Sequence, residues 1–267
     1  MSTITLTTDF GTQDWFVGTM KGVILGLCPK AVVVDITHDL LPGDIRSGAF
    51  ALAASYRYFP KGTVHVAVVD PGVGSSRLAI AVETADYLFV GPDNGVLSFA
   101  LAREKIKAVR RLENKKCFLQ PVSSTFHGRD VFAPVAARLC CGLAIQKLGP
   151  VHRDLVRLSW PEPSVGKAEL RGTIVYVDRF GNLITNLRED LLRNLAASSM
   201  RIRAGRASAI SMATHYAAVP KGRPAALIGS SGLLEIAVNG DSAARKLKLT
   251  VGDPIQVRLS RPNKTSN

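Results

Sequence analysis

No stretch of this 267-residue chain approaches the ~18–20 consecutive apolar residues that a membrane-spanning helix needs, although 46% of the residues are hydrophobic. No membrane association is therefore expected. The start, "MSTITLTTDFG", has neither a basic region nor an apolar signal core; it predicts a strand rather than an export signal. Cysteine is scarce. Cys28, Cys117, Cys140 and Cys141 form no CxxC pair and no metal-ligand spacing, so free thiols, a cytoplasmic location and no metal site are expected. Phosphate-cradling patterns and the G-x-S-x-G nucleophile elbow are also missing. "GVGSS" after a strand fits neither glycine-rich signature.

Acidic residues are few beside basic ones, 21 against 34, giving a net charge of +13. Such an excess raises nucleic acid as a partner. However, the densest basic stretch, "REKIKAVRRLENKK" (103–116), carries no interleaved aromatics and no nucleic-acid motif. It reads as a solvated surface element, and no nucleic-acid partner is expected.

The first half alternates strand and helix. "TITLTTD" and "AVVVDIT" are short β-rich runs, and "TVHVAVVD" is a third. Between them, Trp15, Phe16, Met20, Val23, Ile24 and Leu27 recur at helical spacing and stop before Pro29. "DIRSGAFALAASYRYFP" is a second helix with Asp44 placed to cap it. Residues 78–84 and 86–90 read as two further strands, "GPDNGVLSFAL" as a turn into a short helix, and "RDVFAPVAARLCCG" as a helix ending at Gly142. This order predicts an α/β domain over 1–150, a largely parallel sheet flanked by helices. Residues 151–167, rich in proline and glycine, read as a linker. Beyond them, strand-like runs between glycine turns predict a smaller all-β barrel domain over 168–262 and a frayed tail over 263–267.

Candidate chemistry concentrates at strand ends. Asp9, Asp35 and Asp70 each close a strand, and open α/β sheets bind ligands beyond the carboxyl ends of their strands. Asp9 suits a cis-diol, because one carboxylate can accept from two hydroxyls. Asp14 stands where a helix starts, so a cap alone would explain it. In "VAVVDPGVGSSR" (66–77) a strand ends on Asp70, turns through Pro71, Gly72 and Gly74, and reaches Arg77. A tight turn needs the glycines but not a carboxylate and a guanidinium together. "STFHGRD" places His127 before a helix, as a core histidine, a loop residue or a group facing the site. In the β half, "DRFGN" and "IGSSGLLEIAVNG" combine small residues with hydrogen-bonding groups; barrel turns account for their glycines but not for Asn182 or Ser230.

Seven segments in order, "TLTTDFGTQDWFVGTMKG", "VVDITHDLLPGDI", "AVVDPGVGSSR", "VGPDNGVLS", "TFHGRDVFAPVAA", "DRFGNLITN" and "IGSSGLLEIAVNG", resemble the S-adenosyl-L-methionine hydroxide adenosyltransferases, hydrolytic relatives of the fluorinase and chlorinase. The resemblance implies that water displaces methionine from the 5′ carbon of S-adenosyl-L-methionine, with no cofactor. It matches Asp70, Arg77 and His127 to the set around the water. Asp9 matches the ribose contact, Asp14 the methionine amino group, and Ser230, with Ser231 beside it, the methionine carboxylate. Phe180, Asn182, Val238 and Gly240 match adenine-side positions. It also implies a homotrimer, each pocket lying between the first domain of one subunit and the β domain of its neighbour. The halogenases differ at the positions of Asp70 and His127 and usually carry an insertion that the segment between Asn94 and His127 is too short to hold, which favours the hydrolytic branch. A halide-using enzyme and a non-catalytic S-adenosyl-L-methionine or adenosine binder are the alternatives.

Overall fold

The computed structural model describes residues 3–166, 169–193 and 200–259; the expected tail over 263–267 and the expected domain junction at 167–168 lie outside the described residues. The chain divides into two compact units, Met1–Ser159 and Trp160–Asn267. The first holds β1 (Thr3–Thr8), α1 (Phe16–Leu27), β2 (Val32–Thr37), α2 (Ile45–Ser55), β3 (Val64–Val68), β4 (Ala79–Thr84), β5 (Leu88–Pro92), α3 (Ser98–Leu101), β6 (Ile106–Arg111) and α4 (Ala133–Cys140).

Its six strands form one sheet in the order β2-β1-β3-β5-β4-β6. The first three pairings are parallel and the last two antiparallel. Alternation along the strands sorts the two faces. Ile4 and Leu6 of β1 and Val64, Val66 and Val68 of β3 share one buried cluster with Met20 and Ile24 of α1 and Val135 of α4. Each such side chain contributes about 1.5–3 kcal/mol on leaving water. On the other face Thr5 meets His65 at 2.7 Å, and His65 packs among Tyr56, Tyr87 and Phe89. There burial pushes the His65 pKa down to about 3, so the ring is neutral. Asp44 caps α2 as its position predicts, accepting from the Ser47 backbone N–H at 2.9 Å.

Three features add to the sequence reading, and the third corrects it. The basic stretch 103–116 contains β6, the last strand in the sheet order; its outer backbone is covered by residues 150–152, with the Arg111 N–H donating to the Pro150 carbonyl and the His152 N–H to the Val109 carbonyl, each at 3.0 Å. The start of the expected linker is strapped to the first unit: His152 contacts the Asp93 carboxylate at 2.9 Å, and the Val156 backbone N–H donates to it at 2.9 Å. The expectation of four free thiols also fails, because Cys28 and Cys141 form a disulfide. Each is the C-cap of its helix, α1 or α4. These helices pack side by side and bring the two Cα atoms to 6.1 Å, within disulfide range. Spacing rules read local patterns and cannot see a pairing across 113 residues. With it goes the cysteine argument for a reducing compartment.

The second unit holds β7 (Ser164–Val165), β8 (Glu169–Val177), β9 (Leu183–Arg188), α5 (Glu189–Arg193), β10 (Met200–Ala204), β11 (Ala207–Ile210), β12 (Pro224–Ile228), β13 (Leu233–Val238), α6 (Ala243–Leu247) and β14 (Pro254–Leu259). The strands run β11-β10-β14-β8-β9-β13-β12. Residues just past β11 return to β12, where Ala213 N–H donates to Ala226 O at 2.7 Å and Ala226 N–H to Ser211 O at 3.1 Å. These bonds join the two ends of the sheet and make the unit barrel-like around Leu183, Leu234, Ile236 and Ile255. Among the described residues no helix is long and apolar enough to cross a membrane.

Candidate active site

The chain passes from β1 to β2 on one side of the sheet and then to β3 on the other, so the topological switch point lies between β1 and β3. Ligands bind outside the carboxyl ends of strands at such a point. There Thr8 pairs with Val68, which sets Asp9 and Asp70 just beyond two neighbouring strand ends. Both carboxylates line a cavity of about 280 Å³, together with Val68, Val73, Thr125, His127 and Gly128. Phe10, Phe16 and Phe126 form an apolar wall of the same cavity, with ring centroids 5.1–6.0 Å apart.

The Asp70 loop turns back sharply: Gly74 has φ +77°, a conformation that L side chains rarely adopt. This return brings Arg77 onto Asp70. The Arg77 Nε donates to the two Asp70 oxygens at 2.9 and 3.0 Å, and Nη2 also donates to Oδ2. Both side chains are nearly buried, 12% and 4% exposed. The guanidinium also lies 5.4 Å from the Phe132 ring centroid.

Arg77 Nη2 also reaches His127 Nδ1 at 2.7 Å. A guanidinium can only donate, so Nδ1 accepts and the neutral ring carries its proton on Nε2. Burial, then the positive charge of Arg77, pushes the His127 pKa below its ordinary value, against the opposing pull of Asp70 and Asp130. His127 leads into a π-helical turn, Gly128–Phe132. Asp130 in that turn is buried and accepts from the Ser123 backbone N–H at 2.8 Å and from Arg129 Nε at 2.6 Å. It thereby ties the loop before His127 to the turn after it.

Asp9 is held from the next loop, where the Gly43 N–H donates to its Oδ2 at 2.7 Å. Its Oδ1 has no partner among the described residues. Asp14 is exposed and caps nothing: the α1 N-cap is Trp15, without a side-chain bond, and the first turn holds no acid. The cap explanation for Asp14 therefore fails.

In the second unit Asp178, which sequence reasoning passed over, organises the turn between β8 and β9. One oxygen accepts from the Phe180 and Asn182 backbone N–H groups at 2.9 and 2.8 Å; the other accepts from Asn182 Nδ2 at 2.9 Å. Asn182 is thus buried while Phe180 is 77% exposed. Pairing of β13 with β9 sets Val238 and Gly240 near this turn. Ser230 and Ser231 are exposed in the turn at the other end of β13. A ligand touching both groups must run the length of the strand, roughly 17–20 Å for six residues. Asp130 and Asp178 belong to "FHGRD" and "DRFGN"; their spacing to the backbone groups they bind was the available signal.

Residues 4–149 match the SAM hydroxide adenosyltransferase N-terminal domain family, and residues 172–256 match the corresponding C-terminal domain family. The chain belongs to the SAM hydroxide adenosyltransferase family. Among its relatives, the (R)-S-adenosyl-L-methionine hydrolase of Salinispora arenicola is 42% identical over 257 residues, covering 95% of this chain and 97% of that protein. The Thermus thermophilus protein of the same name is 39% identical, covering 93% and 96%. A fluorinase of Nocardia brasiliensis is more distant at 26%, covering 96% of each. The crystal structure of an uncharacterized conserved protein from Thermotoga maritima matches with a TM-score of 0.90 at 37% identity, covering 98% of this chain and all of that one.

The state of His127 is open to measurement. Its imidazole should titrate below the usual histidine range in a proton–nitrogen NMR titration. Arg77→Ala removes the cation and should move the midpoint up; Asp130→Asn removes an anion and should move it further down. A wild-type midpoint at or above about 6.5, or no upward move in Arg77→Ala, contradicts the assigned arrangement.

Proposed function

We propose that this protein hydrolyses S-adenosyl-L-methionine to adenosine and L-methionine by attack of water on the ribose 5′ carbon. The observation that carries the proposal is the Arg77 guanidinium joined to Asp70 on one side and His127 on the other, beside a cavity that Asp9 also lines. Family membership and the names of the hydrolase relatives supply the substrate.

A sulfonium leaves readily, so the difficulty lies with the nucleophile. As the oxygen bonds to C5′, the C5′–S bond breaks and sulfur keeps the electron pair as a neutral thioether. One proton of the water must depart. Arg77 stabilises negative character on the oxygen as that proton leaves. His127 has its Nδ1 filled by Arg77, so it serves the water through its Nε2–H as a donor. Asp70 is then the group of the three with lone pairs to accept the proton. The site must also hold oxygen, C5′ and sulfur in line at near contact.

In this proposal Asp9 Oδ1, free of partners among the described residues, takes the ribose hydroxyls, and the phenylalanine wall covers apolar substrate surface. Asp14 takes the methionine ammonium and Ser230, beside Ser231, the carboxylate; Phe180, Asn182, Val238 and Gly240 take the adenine. No metal or other cofactor takes part.

Incubation with both sulfonium epimers in water enriched in heavy oxygen tests the reaction. Adenosine labelled on its 5′ oxygen and unlabelled methionine are expected, with turnover favouring the R epimer that the relatives' names carry. Added chelator should leave the rate unchanged, and added chloride should yield no 5′-chloro product. Unlabelled adenosine, or methylthioadenosine as the product, overturns the displacement.

We further propose that three chains assemble in a ring, each pairing its first unit with a neighbour's β unit around one substrate. Head-to-tail contacts close into such rings. Sedimentation velocity at micromolar concentration should give one species of three chains; a monomer with full activity contradicts the shared site.

A further inference from the structure

Asp35, expected at a strand end like Asp9 and Asp70, lies within β2 instead; it is absent from the cavity lining and has no place in the reaction. It lies in β2, beside β1. Lys21 of α1 donates to its Oδ2 at 2.5 Å, and the Nε2 of His38 lies 3.0 Å from its Oδ1. The imidazole contact is close but not aligned as a hydrogen bond, so its effect is mainly electrostatic. Burial opposes ionisation of Asp35, but the bond from Lys21 and the close approach of His38 outweigh it and hold the carboxyl below its ordinary pKa.

The other face of His38 touches the loop that carries Asp9. His38 is buried, and its Nδ1 meets Thr8 Oγ1 at 2.8 Å. Thr8 Oγ1 in turn accepts from the Phe10 backbone N–H at 3.2 Å, and the His38 carbonyl accepts from the Gly11 N–H at 2.8 Å. A carboxylate beside Nε2 favours the proton on that nitrogen, which leaves Nδ1 to accept from the Thr8 hydroxyl. The Thr8 lone pairs are then turned toward Phe10. Residues 8, 10 and 11 are thus fixed by one imidazole and its own carbonyl, and Asp9 sits in the middle of them. Among the described residues its side chain is otherwise tethered only by the Gly43 N–H on Oδ2.

We propose that His38, oriented by Asp35 and Lys21, is a positioning residue that aims the free Asp9 oxygen at the two ribose hydroxyls. The proposal rests on Asp9 being the ribose contact. It makes "MKG" and "DITH" parts of the site although neither motif touches substrate. A ligand contact depends on sub-ångström placement of its donor or acceptor, so loosening this turn should weaken ribose recognition in particular rather than binding in general.

The test is calorimetric binding of adenosine and of 2′-deoxyadenosine to the full chain, for wild type, His38→Asn, Asp9→Ala and the double variant, with turnover of S-adenosyl-L-methionine measured alongside. Wild type should prefer adenosine. His38→Asn should shrink that preference at least fivefold, Asp9→Ala should abolish it, and the double variant should match Asp9→Ala, because His38 acts only through Asp9. If His38→Asn does not fold by circular dichroism, Thr8→Val keeps the side-chain shape, removes the hydroxyl, and carries the same expectation. A merely structural His38 would lower the melting temperature and weaken both nucleosides equally; that result overturns the proposal, as does an additive loss in the double variant. A wild type that hydrolyses its substrate but does not prefer adenosine overturns the ribose role of Asp9 and this proposal with it. A wild type that prefers adenosine but turns nothing over contradicts the hydrolase reading alone.

Discussion

The guanidinium of Arg77 is the point on which the site depends. It is nearly buried, and a cation there is tolerable only because Asp70 meets it with two oxygens and the Phe132 face lies against it. Removing one partner of such a pair typically costs about 3–5 kcal/mol, since the other charge is left buried alone. The same guanidinium decides the protonation of His127 by occupying Nδ1. One positive charge therefore fixes which neighbour can accept a proton and which can only donate. The rest of the first unit serves this arrangement: the strand ends deliver Asp9 and Asp70, the loop through Gly74 returns Arg77, and the π-helical turn presents His127.

Much of this was legible in the sequence, for identifiable reasons. Strands β1, β2 and β3 are short β-branched runs, β1 and β3 running out toward Asp9 and Asp70, and α1 shows helical spacing, so period and composition were enough to order them. The acid-turn-guanidinium pattern of residues 70–77 singled out a pair that a turn does not need. His127 could not be placed from its own neighbourhood; it meets Arg77 across 50 residues, and only the fold decides between core, loop and site. The same limit hid the bond between Cys28 and Cys141, created by two helices packing side by side with their C-terminal ends together, and the brace from Asp35 through His38 to Thr8, which crosses between two strands and a helix. The strand β6 was obscured for another reason: Lys107, Arg110 and Arg111 interrupt the apolar alternation that marks a strand.

In the proposed reaction the two units divide the chemistry. Charged groups that can act on a nucleophile cluster at the switch point of the first. The second offers turns fixed by internal bonds, such as Asp178 holding Asn182, which suit recognition rather than reaction. Rigid turns of this kind lose little conformational freedom on binding, which favours affinity.

The central claim is that Arg77 acts on the reacting oxygen and not on the bound substrate. Arg77→Lys keeps a positive charge but cannot bond two groups in the fixed fork of a guanidinium. Its turnover number and its dissociation constant for S-adenosyl-L-methionine, measured separately, decide the matter. The account predicts kcat reduced about a hundredfold or more with affinity within a few-fold of wild type, the pattern of a lost transition-state interaction. A near-normal kcat with weakened binding would make Arg77 a substrate-binding residue and contradict the account.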